Sequence, residues 1–166
     1  MRVLVTADTH VPDFARALPD PLVAAARAAD LVVHAGDVTA PAVLDELGTN
    51  TPVVAVVGNN DGAAIRSWGA TDELLLDLGG IPTAVVHDAG PRTGRARRMR
   101  RRFPEARLVL FGHSHIPLDE DDGVVRLLNP GSPTWKRRQP APTFMVLTVA
   151  RGRAEPRIVP IEGAPR

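Results

Sequence analysis

Short apolar runs, separated by polar segments, recur along the first two thirds of the chain. Five of them are rich in valine and leucine and are continuous rather than alternating, which is typical of strands buried on both faces. These runs lie at residues 3–6, 31–34, 53–57, 83–87 and 108–111. Between them the pattern predicts helices at residues 20–29, 40–48 and 92–103. This alternation predicts an α/β layer structure.

The last third of the chain carries antiparallel signals instead. Residues 116–132 are predicted to form a hairpin that turns at Asp122-Gly123. Residues 143–162 are predicted to form a second hairpin that turns near Gly152. No repeat or linker separates the two parts of the chain, so we expect one domain over residues 1–166.

Composition narrows the classes of function. Hydrophobic residues make up 44% and charged residues 23%, which is ordinary for a soluble globular protein, and a net charge of +1 gives no general attraction to nucleic acid or membrane. The absence of cysteine excludes disulfides, thiolate metal sites and thiol nucleophiles. The N-terminus leads straight into a strand and no apolar run is long enough to span a bilayer, so we expect a cytoplasmic protein without membrane partners.

Each of the five apolar runs is followed by side chains that can bind metal or phosphate. In chain order these are Asp8 with His10, Asp37, Asn59, His87, and His113 with His115. Sites in open α/β sheets form beyond the carboxyl ends of the strands, so we expect these side chains to converge. Within the pairs Asp8/His10 and His113/His115, extended backbone would direct both side chains to the same face.

The donor types are consistent with a metal centre. Carboxylate, amide oxygen and imidazole, without thiolate, suit Mn, Fe, Zn, Ni or Mg. Seven such side chains exceed the needs of one ion and predict two adjacent ions, with one aspartate bridging them and a hydroxide held between, an arrangement used for displacement at phosphorus. Each short motif alone is a weak signal, whereas the ordered set is specific. The fifth histidine, His34, lies within a strand and is interpreted as a structural hydrogen-bond partner.

Taken together, these motifs resemble those of the calcineurin-like metallophosphoesterases. The residues that carry the resemblance are "DTH", "GD", "GNND", the histidine after "TAVV", "GHSH", and "LLNPGSP" followed by Arg137-Arg138 and "TFMVLTV". The chain is most similar to the small single-domain branch, which includes bacterial and archaeal phosphodiesterases and the retromer's vacuolar-sorting subunit. The resemblance covers nearly the whole chain and implies two packed mixed β-sheets flanked by helices, a four-layer sandwich.

The resemblance also implies a role for each side chain. Asp8, His10 and His115 would hold one ion, and Asp37 would bridge to the second. Asn59, His87 and His113 would complete the second site. The bridging hydroxide would attack phosphorus while the metals and Asn59 steady the phosphoryl oxygens. The implied cofactors are two divalent ions, with Mn favoured and Fe, Zn or Ni left open.

Asn60 departs from the family pattern. Many larger members have histidine at this position, placed to protonate the leaving oxygen, with an acid behind it where this chain has Asp61. A carboxamide does not titrate in a useful range, so Asn60 is not a general acid. The absence of a positioned proton donor lowers the rate by a factor of about 10² to 10⁴ for poor leaving groups. The implied activity is hydrolysis of small phosphoesters, with phosphodiesters favoured over monoesters and good leaving groups least affected.

Three alternatives remain open at this stage. The first is a non-catalytic protein-interaction module on the same fold, and the second is a homo-oligomer, which the branch often forms. The third is a nuclease that uses the arginine-rich segment 92–103. In that segment Ala96, Met99 and Phe103 predict one buried stripe, and no aromatic residues interleave with the arginines, so a solvated face is favoured over a nucleic-acid surface.

Overall fold

Two mixed β-sheets form the centre of the fold, as a computed structural model that describes residues 1–162 shows. Within those residues the strands are β1 Arg2–Thr6, β2 Leu31–His34, β3 Val53–Ala55, β4 Glu73–Asp77, β5 Pro82–Val86, β6 Leu108–Phe111, β7 Leu118–Asp121, β8 Arg126–Asn129, β9 Thr143–Ala150 and β10 Arg153–Pro160. The helices are α1 Asp20–Arg27, α2 Pro41–Leu47, α3 Ala63–Trp68 and α4 Arg95–Arg102. None of the helices in this part of the chain is long and apolar enough to cross a membrane.

Each sheet has a parallel centre and antiparallel additions. The first sheet has the strand order β10-β9-β1-β2-β3, with β1, β2 and β3 parallel and the β9-β10 hairpin antiparallel to β1. The second has the order β4-β5-β6-β8-β7, with β5, β6 and β8 parallel and antiparallel strands at both edges. The carboxyl ends of the parallel strands within each sheet therefore share one edge of that sheet.

The sheets pack face to face and the helices cover their outer faces. Between the sheets lies one cluster of buried side chains from both, among them Val5, Val33 and Leu110. A second cluster joins the first sheet to α1, α2 and α3, and a third joins the second sheet to α4. The fold is thus the four-layer arrangement of two mixed sheets flanked by helices that the family resemblance implied. Strands buried on both faces explain why their apolar runs are continuous.

The structure confirms the five predicted strands and both hairpins, and it adds two elements. The third strand ends at Ala55, two residues before the predicted end. Helix α3 was missed because its six residues are too few to show a helical period. Strand β4 was missed because it alternates between exposed and half-buried residues at the sheet edge, whereas the prediction relied on continuous runs. The three predicted helices are each shorter than expected by two or more residues.

The arginine-rich helix packs as predicted, through Met99 and Phe103 with Ala96 beside them. Most of its neighbouring arginines have partners in the protein. Backbone carbonyls or carboxylates within bonding distance are found for Arg92, Arg95, Arg98, Arg100 and Arg102. Arg95 also lies 4.9 Å from the centre of the Phe111 ring, a cation–π contact. These contacts show that five arginines of this segment bind other groups of the same protein.

Candidate metal centre

The side chains that follow the ends of β1, β2, β3, β5 and β6 meet at one edge of the sandwich. Short contacts join loops of different sheets: the His10 and His115 Nε2 atoms are 3.4 Å apart, and His113 Nδ1 lies 2.8 Å from Asn59 Oδ1. The backbone N–H of His113 also donates to Asp8 Oδ1 at 3.1 Å. The convergence expected from the strand ends is therefore present in the fold.

A first group of potential ligands consists of Asp8, His10 and His115, and all three are buried. Each offers one donor atom, and these atoms lie within 4.8 Å of one another. The His115 Nε2 atom is 3.5 Å from Asp8 Oδ1. The spacing is suitable for three donors around one ion.

A second group consists of Asp8, Asp37 and His87, again buried and within 4.8 Å. Asp8 belongs to both groups. The Oδ2 atom of Asp37 lies 3.4 Å from His87 Nε2 and 3.6 Å from His10 Nε2, so Asp37 also borders the first group. Two carboxylates thus lie between the groups, where the sequence assigned the bridging position to Asp37 alone.

Asn59 and His113 extend the second group toward solvent. The Oδ1 atom of Asn59 is 3.0 Å from His87 Nε2 and 2.8 Å from His113 Nδ1. Both residues are exposed, whereas the members of the two groups are buried. The seven side chains predicted as ligands therefore form one continuous set of contacts, and that set opens to solvent at Asn59 and His113.

The backbone at these positions is not extended, which corrects the expectation for the two pairs. Positive φ angles of 55° at Asp8, 45° at His10, 67° at His113 and 59° at His115 place all four in the left-handed region. This turn separates the members of the second pair, because His115 contacts Asp8 and His10 while His113 contacts Asn59. Such conformations cost of order 1–3 kcal/mol each in a residue with a side chain and persist only where the surroundings enforce them.

Hydrogen bonds between the loops enforce this strained geometry. The backbone N–H of Asp8 donates to Gly36 at 2.9 Å, and that of His10 donates to Asp37 at 3.2 Å. The Ser132 hydroxyl donates to the Asp8 carbonyl at 2.8 Å. The loops after β1, β2 and β8 are therefore fixed to one another by their backbones.

The loop "VGNNDG" is tied to the loop after β2 by two different residues. Asp61 accepts three backbone N–H groups, from Asp37 at 2.9 Å, Thr39 at 2.8 Å and Gly58 at 2.7 Å. Asn60 donates to both oxygens of Asp37, from its backbone N–H at 2.8 Å and from its side-chain amide at 2.7 Å. Sequence reasoning did not identify this role of Asp61, because it depends on which loop lies opposite.

Backbone carbonyls orient two of the histidines. His87 Nδ1 lies 2.8 Å from the Ala35 carbonyl, and His115 Nδ1 lies 2.8 Å from the Trp135 carbonyl. In the neutral ring, donation from Nδ1 leaves a lone pair on Nε2, and this atom faces the centre. His34 is fully buried behind the site, and its Nε2 atom lies 3.0 Å from the Thr9 hydroxyl. Thr9 in turn lies between the potential ligands Asp8 and His10 in the sequence.

Burial and hydrogen bonds shift the pKa values of the centre in different directions. Burial raises the pKa of Asp8 to about 8 and lowers the pKa of His115 to about 4. At Asp37, burial acts to raise the pKa, but hydrogen bonds from His87 and Asn60 outweigh it and hold that pKa below its usual range. At His87, burial acts to lower the pKa, but the hydrogen bond to Asp37 and the charge of Asp8 outweigh it and raise that pKa. The pKa values of the two carboxylates are thereby moved apart.

One buried carboxylate oxygen of the centre has no partner in the described chain. Asp8 Oδ2 is buried and has no hydrogen-bond partner among residues 1–162. A buried polar atom without a partner is costly, and a cation would satisfy both this oxygen and the carboxylate charge. Imidazole, carboxylate and amide donors fit a divalent ion of borderline or hard character. The residues therefore fit metal binding.

Comparison with known proteins gives the family. A model of the calcineurin-like phosphoesterase superfamily domain matches residues 1–152. The chain belongs to this superfamily. One relative of this phosphoesterase-family chain is a protein of Methanothermobacter thermautotrophicus described as a "probable metallophosphoesterase". It is 34% identical over 163 residues, which cover 96% of this chain and 92% of the relative.

Solved structures share the fold of this calcineurin-like chain. Vps29 from Entamoeba histolytica, determined as a complex with zinc, is 23% identical with a TM-score of 0.76, covering 96% of this chain and 99% of that one. An archaeal phosphodiesterase is 20% identical with a TM-score of 0.72, covering 96% of this chain and 100% of that one. Membership of the superfamily implies divalent metal ions, and the two groups of potential ligands are present for them.

Proposed function

We propose that this protein is a dinuclear metal-dependent phosphoesterase that prefers phosphodiesters with good leaving groups. The observation that carries the proposal is the pair of buried ligand groups that share Asp8, one of whose oxygens has no other partner within the described chain. We infer that the ions are held by the seven predicted side chains. Asp8, His10 and His115 would hold the first, Asn59, His87 and His113 would hold the second, and Asp37 would serve both.

When bound, the two ions supply an activated water and the positive charge that displacement at phosphorus requires. Mn is favoured, with Fe, Zn and Ni as the other candidates, and the zinc complex of the Entamoeba protein supports a divalent ion at this fold. The protein's own part is to fix the donors in place before substrate arrives. Strained ligand backbones and the carbonyl partners of His87 and His115 support that role.

Asn59 and Asn60 contribute differently. Asn59 lies at the open side of the centre, where its amide can also steady a phosphoryl oxygen. The Asn60 amide is bonded to Asp37, so we assign it the positioning of that carboxylate. Neither residue can supply a proton to a leaving oxygen. This supports a preference for esters that leave without protonation, and the archaeal phosphodiesterase of the same fold supports diesters.

The test is turnover by purified protein with added Mn. We expect it to bind about two ions per chain, as two-metal sites do, and to hydrolyse bis-4-nitrophenyl phosphate faster than 4-nitrophenyl phosphate. Metal content is measured by mass spectrometry, and a chelator-treated sample provides the matched control. Protein that contains no metal and turns over neither ester would refute the proposal. Faster hydrolysis of the monoester would refute only the preference for diesters.

Restoring a histidine should widen the range of substrates. We expect Asn60→His to raise the ratio of kcat on methyl 4-nitrobenzyl phosphate, whose alkoxide leaves poorly, to kcat on bis-4-nitrophenyl phosphate by up to about 10²-fold, because a positioned acid contributes about 10² to 10⁴. Loss of the Asn60 bond to Asp37 lowers both rates alike, and nitrophenolate leaves without protonation. An unchanged ratio would contradict the missing-acid argument.

The second candidate is a protein-interaction module, which the likeness to Vps29 favours. Retention of all seven side chains supports the enzyme instead, since a binding surface does not require them. A nuclease on the arginine-rich helix has less support, because Arg98 and Arg102 are bonded to the protein itself. We also propose that residues 1–166 are one domain.

A further inference from the structure

Two aromatic rings lie directly against the first group of ligands. The Trp135 ring is 5.1 Å from the His115 ring and 5.9 Å from the His10 ring, centre to centre. Phe14 is stacked on Trp135 at 4.3 Å and lies 5.1 Å from His10. Phe14 is nevertheless 56% exposed. An aromatic surface therefore continues from the buried centre out to solvent.

A free guanidinium adjoins these rings. The Arg137 guanidinium carbon lies 4.9 Å from the centre of the Trp135 ring. Arg137 is exposed, and it has neither an ion pair nor a side-chain hydrogen bond with any of residues 1–162. Its φ of 49° is in the strained left-handed region. The cation is thus held at the aromatic pair with its donors free, although several arginines of α4 are paired.

A groove runs along the same residues. It has a volume of about 910 Å³ and lies between the segment that follows His10 and the segment that follows Ser132, lined by Phe14, Arg16, Trp135 and Arg137 among others. Both segments are anchored at the centre, since Thr134 donates to the carbonyl of Thr9 at 2.6 Å. Small-molecule sites commonly have volumes of about 300–1,000 Å³. None of the seven predicted ligands lines the groove, which adjoins the first group through Trp135, and its walls also carry Asp13, Asp20 and Glu162. It is large enough for a nucleotide-sized group.

We propose that Phe14, Trp135 and Arg137 form a subsite for a planar aromatic group, such as a nucleobase, carried by the phosphoester. The ring of the substrate lies against the exposed Phe14, and Arg137 binds a phosphoryl oxygen. Aromatic side chains and arginine are the groups that stack with bases and hold phosphates. The inference rests on the proposed function for the reaction itself, but the binding it describes does not depend on turnover.

Binding is tested with fluorescence, because the chain has only two tryptophans. Trp68→Phe leaves Trp135 as the single reporter and removes a ring whose Nε1 donates to Asp45, away from the centre. We expect adenosine 5′-monophosphate to quench the emission of Trp135 and to bind about 5-fold or more tightly than ribose 5-phosphate, since one stacked base contributes at least that much. Equal affinities by calorimetry, or no quenching, would overturn the subsite.

Variants separate the base from the phosphate. Phe14→Ala is expected to remove most of the advantage of adenosine 5′-monophosphate over ribose 5-phosphate, while Arg137→Gln weakens both ligands. The matched control is Arg138→Gln, which removes the same charge from the adjacent exposed residue and should leave both affinities nearly unchanged. If Arg138→Gln weakens both ligands as much as Arg137→Gln does, the effect is one of net charge and the assignment of Arg137 fails.

Kinetics give a second readout. Thymidine 5′-(4-nitrophenyl phosphate) and methyl 4-nitrophenyl phosphate release the same leaving group and differ only in the second ester group. We expect kcat/KM to favour the thymidine ester by about 5-fold or more, and Phe14→Ala to reduce that ratio toward one. Equal kcat/KM values would overturn the subsite while leaving the phosphoesterase intact. Hydrolysis of neither ester would refute the proposed function, and the binding measurements would still decide the subsite.

Discussion

Replacement of Asp37 by alanine is expected to lower kcat/KM on bis-4-nitrophenyl phosphate by about 10³-fold, because the loss of a metal contribution of several kcal/mol corresponds to at least that factor. Asp37 lies within 3.6 Å of both His10 and His87, so its removal opens the contact between the two ligand groups. We expect bound metal to fall from about two ions to about one per chain. Activity and metal content are measured on the same preparation.

Asparagine at the same position isolates charge from shape. Asparagine has nearly the same volume as aspartate and tolerates the positive φ of 56°. Any loss of activity or bound metal in Asp37→Asn is therefore due to the missing carboxylate charge and its strength as a metal ligand. Asp72→Asn is the control, since that aspartate is an exposed partner of Arg66 on the surface and should keep full activity. Asp37→Ala protein that retains both ions and more than a tenth of its activity would show that the second site does not use this carboxylate.

Gly58→Ala is expected to lower the free energy of unfolding by about 3 kcal/mol and to abolish activity, since overpacking a filled site costs about 1–3 kcal/mol and hydrogen bonds are lost with it. A Cβ atom at this position would lie 2.2 Å from both the backbone nitrogen and the Oδ1 atom of Asp37. The loops that contain Gly58 and Asp37 would have to separate. That movement breaks the hydrogen bonds from Asn60 to Asp37 and from Asp37 to Asp61. Chemical denaturation and metal titration measure the two effects.

The same loop contains its own control. A Cβ atom on Gly62 would meet nothing within 4 Å, and its φ of −95° suits any residue. Gly62 is the N-cap of α3, where alanine is less favourable than glycine, so Gly62→Ala should lower stability by no more than about 1 kcal/mol and leave the metal titration unchanged. If the two alanine variants unfold at the same denaturant concentration, the close approach of Gly58 to Asp37 does not constrain the protein.

The sequence predicted the location of the centre because strand ends can be recognised from apolar runs and because parallel strands deliver their loops to one edge. It did not predict the left-handed backbones at the ligands, since a pattern of polar residues carries no information on φ. For "VGNNDG" it distinguished Asn59 from Asn60 by chemistry. The bonds of Asn60 and Asp61 to the loop after β2 depend on tertiary contact, which no local signal specifies.

The stacking of Phe14 on Trp135 could not be predicted from the sequence pattern for a similar reason. Phe14 and Trp135 are more than a hundred residues apart and lie in loops without periodicity. Their stacking follows only once the loops after β1 and β8 are bonded together near Ser132. Helix α3 and strand β4 were missed because one is short and the other lies half-exposed at an edge.

Each ligand group draws members from both halves of the sandwich. Asp8, His10 and Asp37 follow strands of the first sheet, whereas His87 and His115 follow strands of the second. A bound ion would therefore act as a cross-link between two layers that otherwise meet through apolar packing and a few hydrogen bonds between loops at this edge. Binding to the folded state alone stabilises it by RT ln(1 + [L]/Kd). Metal supply would then set the stability of the folded protein as well as its activity.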